Sequence, residues 1–151
     1  MISATSEYAL RAALVLARQY GERAMRADEI ADSIGAPRNY LAKILNALVK
    51  EGIASSARGP MGGFQLALPP AEVSISDVID CFDEPRNNPF CLLGSAPCDA
   101  QNPCAAHNKW TAIMSARREP LTQTSLAHLI DATNDVYQIN SKEYDHVVAS
   151  F

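Results

Sequence analysis

The sequence predicts a mainly α-helical protein that carries one small β-hairpin. Apolar residues recur with the period of an amphipathic helix through the first third of the chain. A glycine-rich turn at residues 58–63 then separates two short segments whose composition suits strands. With 151 residues, of which 48% are apolar, the chain is long enough for one core, or for one small domain with an added helical segment.

The composition argues against several classes of protein. The most hydrophobic segment, YALRAALVLARQY, is interrupted by Arg11 and Arg18 and falls short of the roughly 20 apolar residues that a membrane span needs. We therefore expect a cytoplasmic protein without a membrane partner. An enzyme is the least favoured class, because we find no nucleophile with an adjacent base, no phosphate loop and no nucleotide fingerprint.

Charge is unevenly distributed along the chain. Residues 1–70 carry eight basic and six acidic side chains, whereas residues 71–151 carry five basic and eleven acidic ones, and the net charge is −4. The chain as a whole therefore lacks the excess of basic residues that is typical of nucleic-acid-binding proteins. Between positions 38 and 58, however, four basic side chains accompany a single glutamate, which predicts a local site for a polyanion.

Two helices are predicted at the start of the chain. Thr5 or Ser6 is expected to cap the first helix, and Gly21 to end it. A short second helix is expected over residues 27–34, with two carboxylates in its first turn, where they suit the positive end of the helix dipole. Its cap position, Arg26, offers no capping oxygen.

A third helix with two distinct faces is expected over residues 38–50, after a turn at Gly35 and Pro37. Helical spacing puts the apolar side chains on one face, and these are Leu41, Ile44, Leu45 and Leu48. The polar side chains form a narrow stripe on the opposite face, made of Asn39, Lys43, Asn46 and Lys50. One face should pack and the other should meet solvent.

The hairpin and a fourth helix follow. Strands are predicted at residues 53–57 and 64–68, joined by the glycine-rich turn. Ser74 and Asp77 have the spacing of a capping box, which opens a helix that we expect Pro85 to end.

Beyond residue 85 the helical pattern is lost and then resumes. Residues 86–103 show no regular spacing of apolar residues, which predicts a long loop. A helix is expected over residues 106–121, kinked or restarted by Pro120, followed by one or two turns at residues 125–131. An amphipathic tail is possible near the end, at Tyr144, Val147, Val148 and Phe151.

A short helix, a turn, a two-faced helix and a glycine-rich hairpin occur in the order of a winged helix-turn-helix. The polar stripe fits a DNA major groove, where an asparagine can contact a base edge through two hydrogen bonds. Its candidate contacts are Arg38, Asn39, Tyr40, Lys43, Asn46 and Lys50. Arg58, at the hairpin tip, suits a narrow minor groove. The alternative is that these side chains form an ordinary solvated surface.

A second candidate site lies between Cys91 and His107. Six residues separate Cys91 from Cys98, five separate Cys98 from Cys104, and two separate Cys104 from His107. Structural zinc sites use closer pairs, whereas wider spacing suits an iron-sulfur cluster held by soft thiolates. Unligated thiols, and His107 as a simple surface residue, are the alternatives. Cys81 is predicted to be a small buried hydrophobe.

Taken together, these motifs resemble bacterial iron-sulfur winged-helix repressors, namely the cluster-assembly regulator (IscR) and nitric-oxide-sensing (NsrR) type. The resemblance covers about residues 1–130 and is carried by EYALRA, NYLAKIL, ARGPMGGFQLA, SISDVID and the three cysteines before Trp110. It implies a homodimer joined through the long helix after the loop, with each cluster beside the partner's first helix.

The resemblance also implies a ligand set. Cys91, Cys98 and Cys104 match the three cluster thiolates, and His107 matches the nitrogen ligand of a 2Fe-2S cluster, which is the favoured assignment. Glu7 matches a carboxylate that the partner subunit supplies to a 4Fe-4S cluster in the other branch. Two departures separate the chain from the cluster-assembly branch. Its first thiol spacing is one residue longer, and Ala42 replaces a glutamate of the recognition helix.

These observations predict a dimeric, cluster-dependent transcription regulator, with repression as the favoured mode of action. Residues 1–70 would form the DNA-binding domain, and residues 71–151 the cluster loop and dimerisation helices. The signal would be nitric oxide, redox state or iron-sulfur status. The alternative is a cluster-free regulator in which two loop cysteines form a reversible disulfide. A single module buries only about 600–1,000 Å² on DNA, which favours a dimer on an inverted repeat.

Overall fold

Six α-helices and one two-stranded hairpin make up the part of the chain that the computed structural model describes, residues 2–83, 92–93 and 99–136. The elements, in chain order, are α1 (Ala4–Arg18), α2 (Ala27–Ile34), α3 (Arg38–Lys50), β1 (Ala54–Ala57), β2 (Gly63–Leu66), a 3-10 turn (Pro70–Glu72), α4 (Ile75–Asp80), α5 (His107–Gln123) and α6 (Leu126–Val136). The predicted tail near Tyr144 lies outside the described residues.

Helix α1 begins earlier than predicted. Ser3 is its N-cap, and the Ser3 hydroxyl accepts a hydrogen bond from the Ser6 N–H at 3.1 Å. The expectation of a cap at Thr5 or Ser6 was therefore wrong. Three hydroxyl-bearing residues stand within four positions, and a distant carboxylate selects among them, because Asp83 accepts a hydrogen bond from the Ser3 N–H at 3.0 Å.

The predicted bounds of α2 and α3 are confirmed. Gly35 ends α2 in the left-handed conformation, with φ +67°. At the start of α2, Arg26 makes no side-chain cap, as expected, and the Glu29 carboxylate instead accepts the Arg26 backbone N–H at 2.8 Å. In α3 the four predicted apolar residues are all buried, which are Leu41, Ile44, Leu45 and Leu48.

The hairpin forms where expected, but both strands are shorter than predicted. Its antiparallel register pairs Ala54 with Leu66 and Ala57 with Gly63. The second strand is anchored outside the hairpin, because Phe64 donates its N–H to the Met25 carbonyl at 2.7 Å and accepts the Met25 N–H at 3.0 Å. This pairing depends on Met25, which is far from the hairpin in sequence. The composition of the hairpin alone therefore did not predict where its strands begin and end.

Helix α4 opens with the predicted capping box and closes sooner than expected. The Ser74 hydroxyl accepts the Asp77 N–H at 3.1 Å, and the Asp77 carboxylate accepts the Ser74 N–H at 2.8 Å. The helix ends at Asp80, so the prediction that Pro85 ends it was wrong. A tight turn stops it instead, in which the Ile79 carbonyl accepts two backbone N–H groups.

Helices α5 and α6 are longer than predicted. Helix α5 runs through Pro120 to Gln123, so the proline does not restart it. Helix α6 extends to Val136 instead of ending near residue 131. The chain between them is tied back to the segment before α4, since the Leu126 N–H donates to the Val73 carbonyl at 2.8 Å and the Ile75 N–H donates to the Thr124 carbonyl at 2.9 Å.

One hydrophobic core holds these elements together. Its buried members come from α1, α2, α3, the hairpin, α4 and α6, and Val73, Val78 and Leu126 join it from beyond the hairpin. Helix α1 packs against five other elements, which are α2, α3, α4, α6 and β2. Among the described residues, no helix is long and apolar enough to cross a membrane.

The packing of α3 generates a stability prediction. Leu45 is fully buried, so Leu45→Ala should lower the free energy of unfolding by about 2–5 kcal/mol. The adjacent Asn46 is exposed, and Asn46→Ala should change it by no more than about 0.5 kcal/mol. Urea unfolding followed by circular dichroism measures both values. Equal destabilisation by the two changes would contradict the assignment of the buried and exposed faces of α3.

Candidate nucleic-acid interface and cysteine loop

The polar face of α3 is exposed along its whole length. All six predicted contacts on this helix have exposed side chains, which are Arg38, Asn39, Tyr40, Lys43, Asn46 and Lys50. The opposite face is buried in the core, so the helix cannot rotate without exposing four leucine and isoleucine side chains. The orientation of the polar stripe is thus set by packing.

Arg38 is less available than the rest of this stripe. Its guanidinium forms an ion pair with Asp32 of α2, with Nη2 2.8 Å from Oδ2 and Nε 3.3 Å from Oδ1. The hydrogen bonds and charge of Asp32 raise the pKa of Arg38 above its ordinary value. A DNA phosphate would have to compete with this exposed pair, which also braces α2 against α3.

Tyr40 contacts the first turns of α1 as well as facing solvent. Its hydroxyl lies 2.5 Å from the Thr5 hydroxyl, and its ring meets the Tyr8 ring edge to face with centroids 6.0 Å apart. Aromatic pairs with this geometry are favourable beyond the area that they bury. Tyr40 therefore links the recognition helix to the amino-terminal end of α1.

Asp83 binds the same end of α1 from the other side. Its carboxylate accepts hydrogen bonds from the Ser3 N–H at 3.0 Å and from the buried Ser6 hydroxyl at 2.8 Å. Burial raises the pKa of Asp83, but the hydrogen bonds from Ser3 and Ser6 outweigh that effect and leave the pKa below its ordinary value. Asp83 is the last described residue before the segment that leads to Cys91.

Two of the four predicted cysteine-loop ligands fall within the described residues. Cys104 and His107 are both half-buried, and the His107 N–H donates to the Cys104 carbonyl at 3.0 Å at the very start of α5. Helix α5 thus begins one residue after its predicted start at position 106. Cys91 and Cys98 lie outside the described residues, and no set of three metal-binding side chains occurs within them.

Helix α5 is held to the rest of the chain by an ion pair. The Arg118 guanidinium contacts both carboxylate oxygens of Asp80 in α4, with Nη1 3.1 Å from Oδ1. Otherwise α5 is poorly covered, because none of its residues is buried in the described structure. A 17-residue helix without a buried side chain is unusual for a folded domain.

Glu7, the alternative cluster ligand, is exposed on α1. Its carboxylate forms an ion pair with Arg11 one turn later in the same helix, at 2.5 Å. Metal coordination by Glu7 would therefore have to displace or share this contact.

Cys81 has a different character from the loop cysteines. It is half-buried instead of fully buried as predicted, and its thiol donates to the Asp77 carbonyl at 3.1 Å. Burial, followed by the negative charges of Glu51, Asp80 and Asp77, raises the pKa of the Cys81 thiol to about 11. Because the thiolate is the form that binds metals and attacks disulfides, this thiol is poorly suited to either role.

Comparison with known proteins assigns the chain to a family. The Rrf2 model, described as an iron-dependent transcriptional regulator, matches residues 2–132. The chain belongs to the Rrf2 family. An HTH-type transcriptional regulator of Aquifex aeolicus is 36% identical over 133 residues, covering 87% of this chain and 92% of the relative. The regulator IscR of Aliivibrio salmonicida is 29% identical, covering 94% of this chain and 83% of that protein.

Solved structures show the same fold. CymR, the global cysteine regulator of B. subtilis, aligns with a TM-score of 0.74 at 26% identity, covering 88% of this chain and 98% of its own. IscR of T. potens aligns with a TM-score of 0.72 at 24% identity, covering 91% and 93%. The predicted winged helix-turn-helix architecture is confirmed. Like these relatives, the chain is a DNA-binding transcriptional regulator and not an enzyme.

Sequence patterns missed the residues that contact the amino-terminal end of α1. Asp83 and Thr5 belong to no motif, and their partners lie 77–80 and 35 positions away. The capping potential of the serines near the start of the chain was the one available signal, and it was assigned to the wrong residues. No local pattern identifies a carboxylate that caps a helix from a distant segment.

The lowered pKa of Asp83 predicts a pH-dependent contribution to stability. Because the folded-state pKa lies below the ordinary value of 3.8, the contribution is complete above that value and is lost as the pH falls through the folded-state pKa. Asp83→Asn should therefore lower the free energy of unfolding by about 1 kcal/mol at neutral pH and have a vanishing effect in strong acid.

Chemical unfolding across a pH series measures this difference. Asp131→Asn removes the same charge from an exposed position in α6 and provides the matched control. A pH-independent difference between Asp83→Asn and the wild-type protein would contradict the hydrogen-bonded carboxylate at the start of α1.

Proposed function

We propose that this protein is a cytoplasmic, homodimeric regulator whose affinity for an inverted-repeat operator depends on an iron-sulfur cluster in the loop between Cys91 and His107. Residues 1–70 read the DNA, and residues 71–151 hold the cluster and the dimer contact. The observation that carries the proposal is the position of Asp83. This carboxylate precedes the cysteine loop in the chain and accepts hydrogen bonds from Ser3 and Ser6 at the start of the helix that contacts the recognition helix.

The donor chemistry of the described ligands suits such a cluster. Cys104 offers a soft sulfur donor and His107 an imidazole nitrogen within one turn, at a rigid helix start. Cys91 and Cys98 would supply the other thiolates. A bound cluster supplies a redox-active, nitric-oxide-reactive and oxygen-sensitive group. His107 is the favoured fourth ligand of a 2Fe-2S cluster, and Glu7 of the partner subunit is the alternative for a 4Fe-4S cluster.

A set of contacts connects Asp83, which precedes the loop in the chain, with the polar face of α3. Asp83 binds Ser3 and Ser6 in the first turn of α1, and Thr5 in the same turn meets the Tyr40 hydroxyl on α3. A change in the loop that moves Asp83 therefore acts on the turn that positions the recognition helix. A hundredfold change in operator affinity requires about 2.7 kcal/mol of coupling.

The uncovered surface of α5 supports a homodimer. Ile113 is 52% exposed, and three further large apolar side chains of the helix are half-buried, which are Trp110, Met114 and Leu121. The same helix of a second copy would cover them. Two copies related by a twofold axis would present their α3 helices to half-sites about 34–36 Å apart.

On each half-site the exposed stripe of α3 would enter the major groove. Asn39 and Asn46 are the candidates for base contacts, and Lys43 and Lys50 for base or phosphate contacts. Arg58 at the wing tip is exposed and would enter the adjacent minor groove. Arg38 would contribute only where phosphate displaces Asp32.

A cluster-free thiol switch is the second candidate function. One structural neighbour at 28% identity and a TM-score of 0.67 is the oxidized form of CymR from Staphylococcus aureus, covering 85% of this chain and 94% of its own. In this chain a switch would use two of the three loop cysteines. Protein prepared without oxygen would then be colourless and would contain no sulfide.

Replacement of single cysteines tests the cluster. Cys104→Ala should abolish the visible absorption and the iron and sulfide content of protein purified without oxygen. The matched control is Cys81→Ala, which should leave the absorption, the iron content and the sulfide content unchanged. The Cys81 thiol has its pKa raised to about 11 and donates a hydrogen bond to the Asp77 carbonyl, so it is poorly suited to bind a metal. Colourless, iron-free wild-type protein that still binds its operator would favour the thiol switch.

The fourth ligand is tested in the same way. His107→Ala should shift the visible spectrum and shorten the lifetime of the cluster, whereas Glu7→Gln should leave the spectrum unchanged. The opposite pattern would assign Glu7 of the partner subunit in place of His107.

Removal of the Tyr40 hydroxyl tests whether the contacts at the start of α1 couple the loop to the recognition helix. Tyr40→Phe keeps the ring contact with Tyr8 but loses the hydroxyl contact with Thr5. The ratio of operator affinities between the cluster-loaded and cluster-free forms should fall by about tenfold, which is about 1.4 kcal/mol of coupling. Fluorescence anisotropy with a labelled operator measures this ratio.

Tyr20→Phe is the control for this change, because Tyr20 is 45% exposed just after α1. If Tyr40→Phe weakens both forms equally and leaves the ratio intact, Tyr40 contacts DNA directly and does not transmit the state of the loop.

A further inference from the structure

The wing tip presents a large apolar side chain that none of the contacts described above uses. Met61 is 84% exposed, more than any other large hydrophobic side chain among the described residues. Single exposed apolar residues are common, so exposure alone indicates no function. What distinguishes Met61 is its position at the tip of the wing.

A tight turn holds Met61 at the corner of the hairpin. The Gly62 N–H donates to the Gly59 carbonyl at 2.9 Å, which puts Pro60 and Met61 at the two central positions of the turn. Proline suits the first of these because its φ angle is preset. A Cβ on Gly62 would lie 2.3 Å from the Ala57 carbonyl oxygen, so the turn packs directly on the end of β1.

The wing is also fixed relative to the helix-turn-helix. Met25 exchanges two backbone hydrogen bonds with Phe64 of β2. The next residue, Arg26, directs its guanidinium at the Pro60 carbonyl, with Nη2 3.5 Å from the oxygen. Because both residues stand immediately before α2, the wing tip is held in a set position relative to the start of α2.

The exposed tip combines a guanidinium with apolar groups. Arg58, Pro60 and Met61 are all exposed within one turn. Proteins that enter the minor groove often pair basic side chains with apolar wedges, methionine and proline among them, that press between base steps. We propose that Met61 is such a wedge, packing into the minor groove beside Arg58. This inference rests on the proposed approach of the wing to DNA.

A wedge at this position would select the sequence beneath the wing by its deformability. Pyrimidine–purine steps unstack most easily, so they should be favoured where Met61 inserts, although Met61 makes no hydrogen bond to a base. The apolar contact of Met61 with DNA would release no counterions, whereas Arg58 would release counterions by neutralising phosphate charge along the groove. Affinity and its dependence on salt therefore separate the roles of the two side chains.

The test uses the full-length protein and a duplex that the wild-type protein enriches from a random-sequence pool. Met61→Ala and Met61→Gln should each weaken binding by about tenfold without changing the slope of log affinity against log salt. They should also reduce the bend of the duplex, measured by energy transfer between its labelled ends. Arg58→Ala should lower the affinity and reduce the salt slope by about one.

Leu68→Ala is the matched control, since Leu68 is 41% exposed just beyond β2 but away from the tip. Circular dichroism verifies that each variant is folded. Wild-type affinity, salt slope and bend in both Met61 variants would overturn the wedge while leaving the proposed DNA contact by the wing in place. If the wild-type protein enriches no duplex, the approach of the wing to DNA and the wedge both fail.

Discussion

The burial of helix α1 is the constraint on which the rest of the structure depends. Its alanines at positions 9, 12 and 13 are fully buried, and their small size lets five other elements approach the helix closely. Protein interiors are packed as densely as crystals, so α1 cannot move without moving its neighbours. The recognition helix and α4 both belong to that set. A single helix thus determines how α3 sits relative to α4, the last helix before the cysteine loop.

The amino-terminal turn of α1 is where these two regions meet. Asp83 places negative charge at the positive end of the helix and accepts hydrogen bonds from the N–H of the N-cap residue Ser3 and from the Ser6 hydroxyl. Tyr40 reaches the neighbouring hydroxyl of Thr5. The sensing proposal follows from this arrangement more than from the cysteines themselves. A cluster can regulate DNA binding only where its presence changes contacts that the DNA-reading surface also uses.

The bounds of α2 and α3 were predictable because their signals are local. Gly35 supplies a left-handed stop, Pro37 permits a helix start, and the apolar period assigns the buried face of α3. The cap of α1 and the ends of the strands were not predictable in this way. The cap residue Ser3 is hydrogen-bonded to Asp83, and Phe64 of β2 is paired with Met25, so both regions depend on contacts with distant segments.

The sequence by itself determined the class of fold, the two faces of the recognition helix, the glycine-rich wing and the presence of three thiols and an imidazole between positions 91 and 107. Each of these depends on residue type and on spacings of a few positions. Only the tertiary structure decided that the Asp83 carboxylate, 77 positions from Ser6, accepts a hydrogen bond from the Ser6 hydroxyl at the start of the first helix, and that Tyr40 contacts Thr5 across 35 positions. Such pairs form because the chain folds around α1 and brings hydrogen-bonding groups from distant positions within reach of one another.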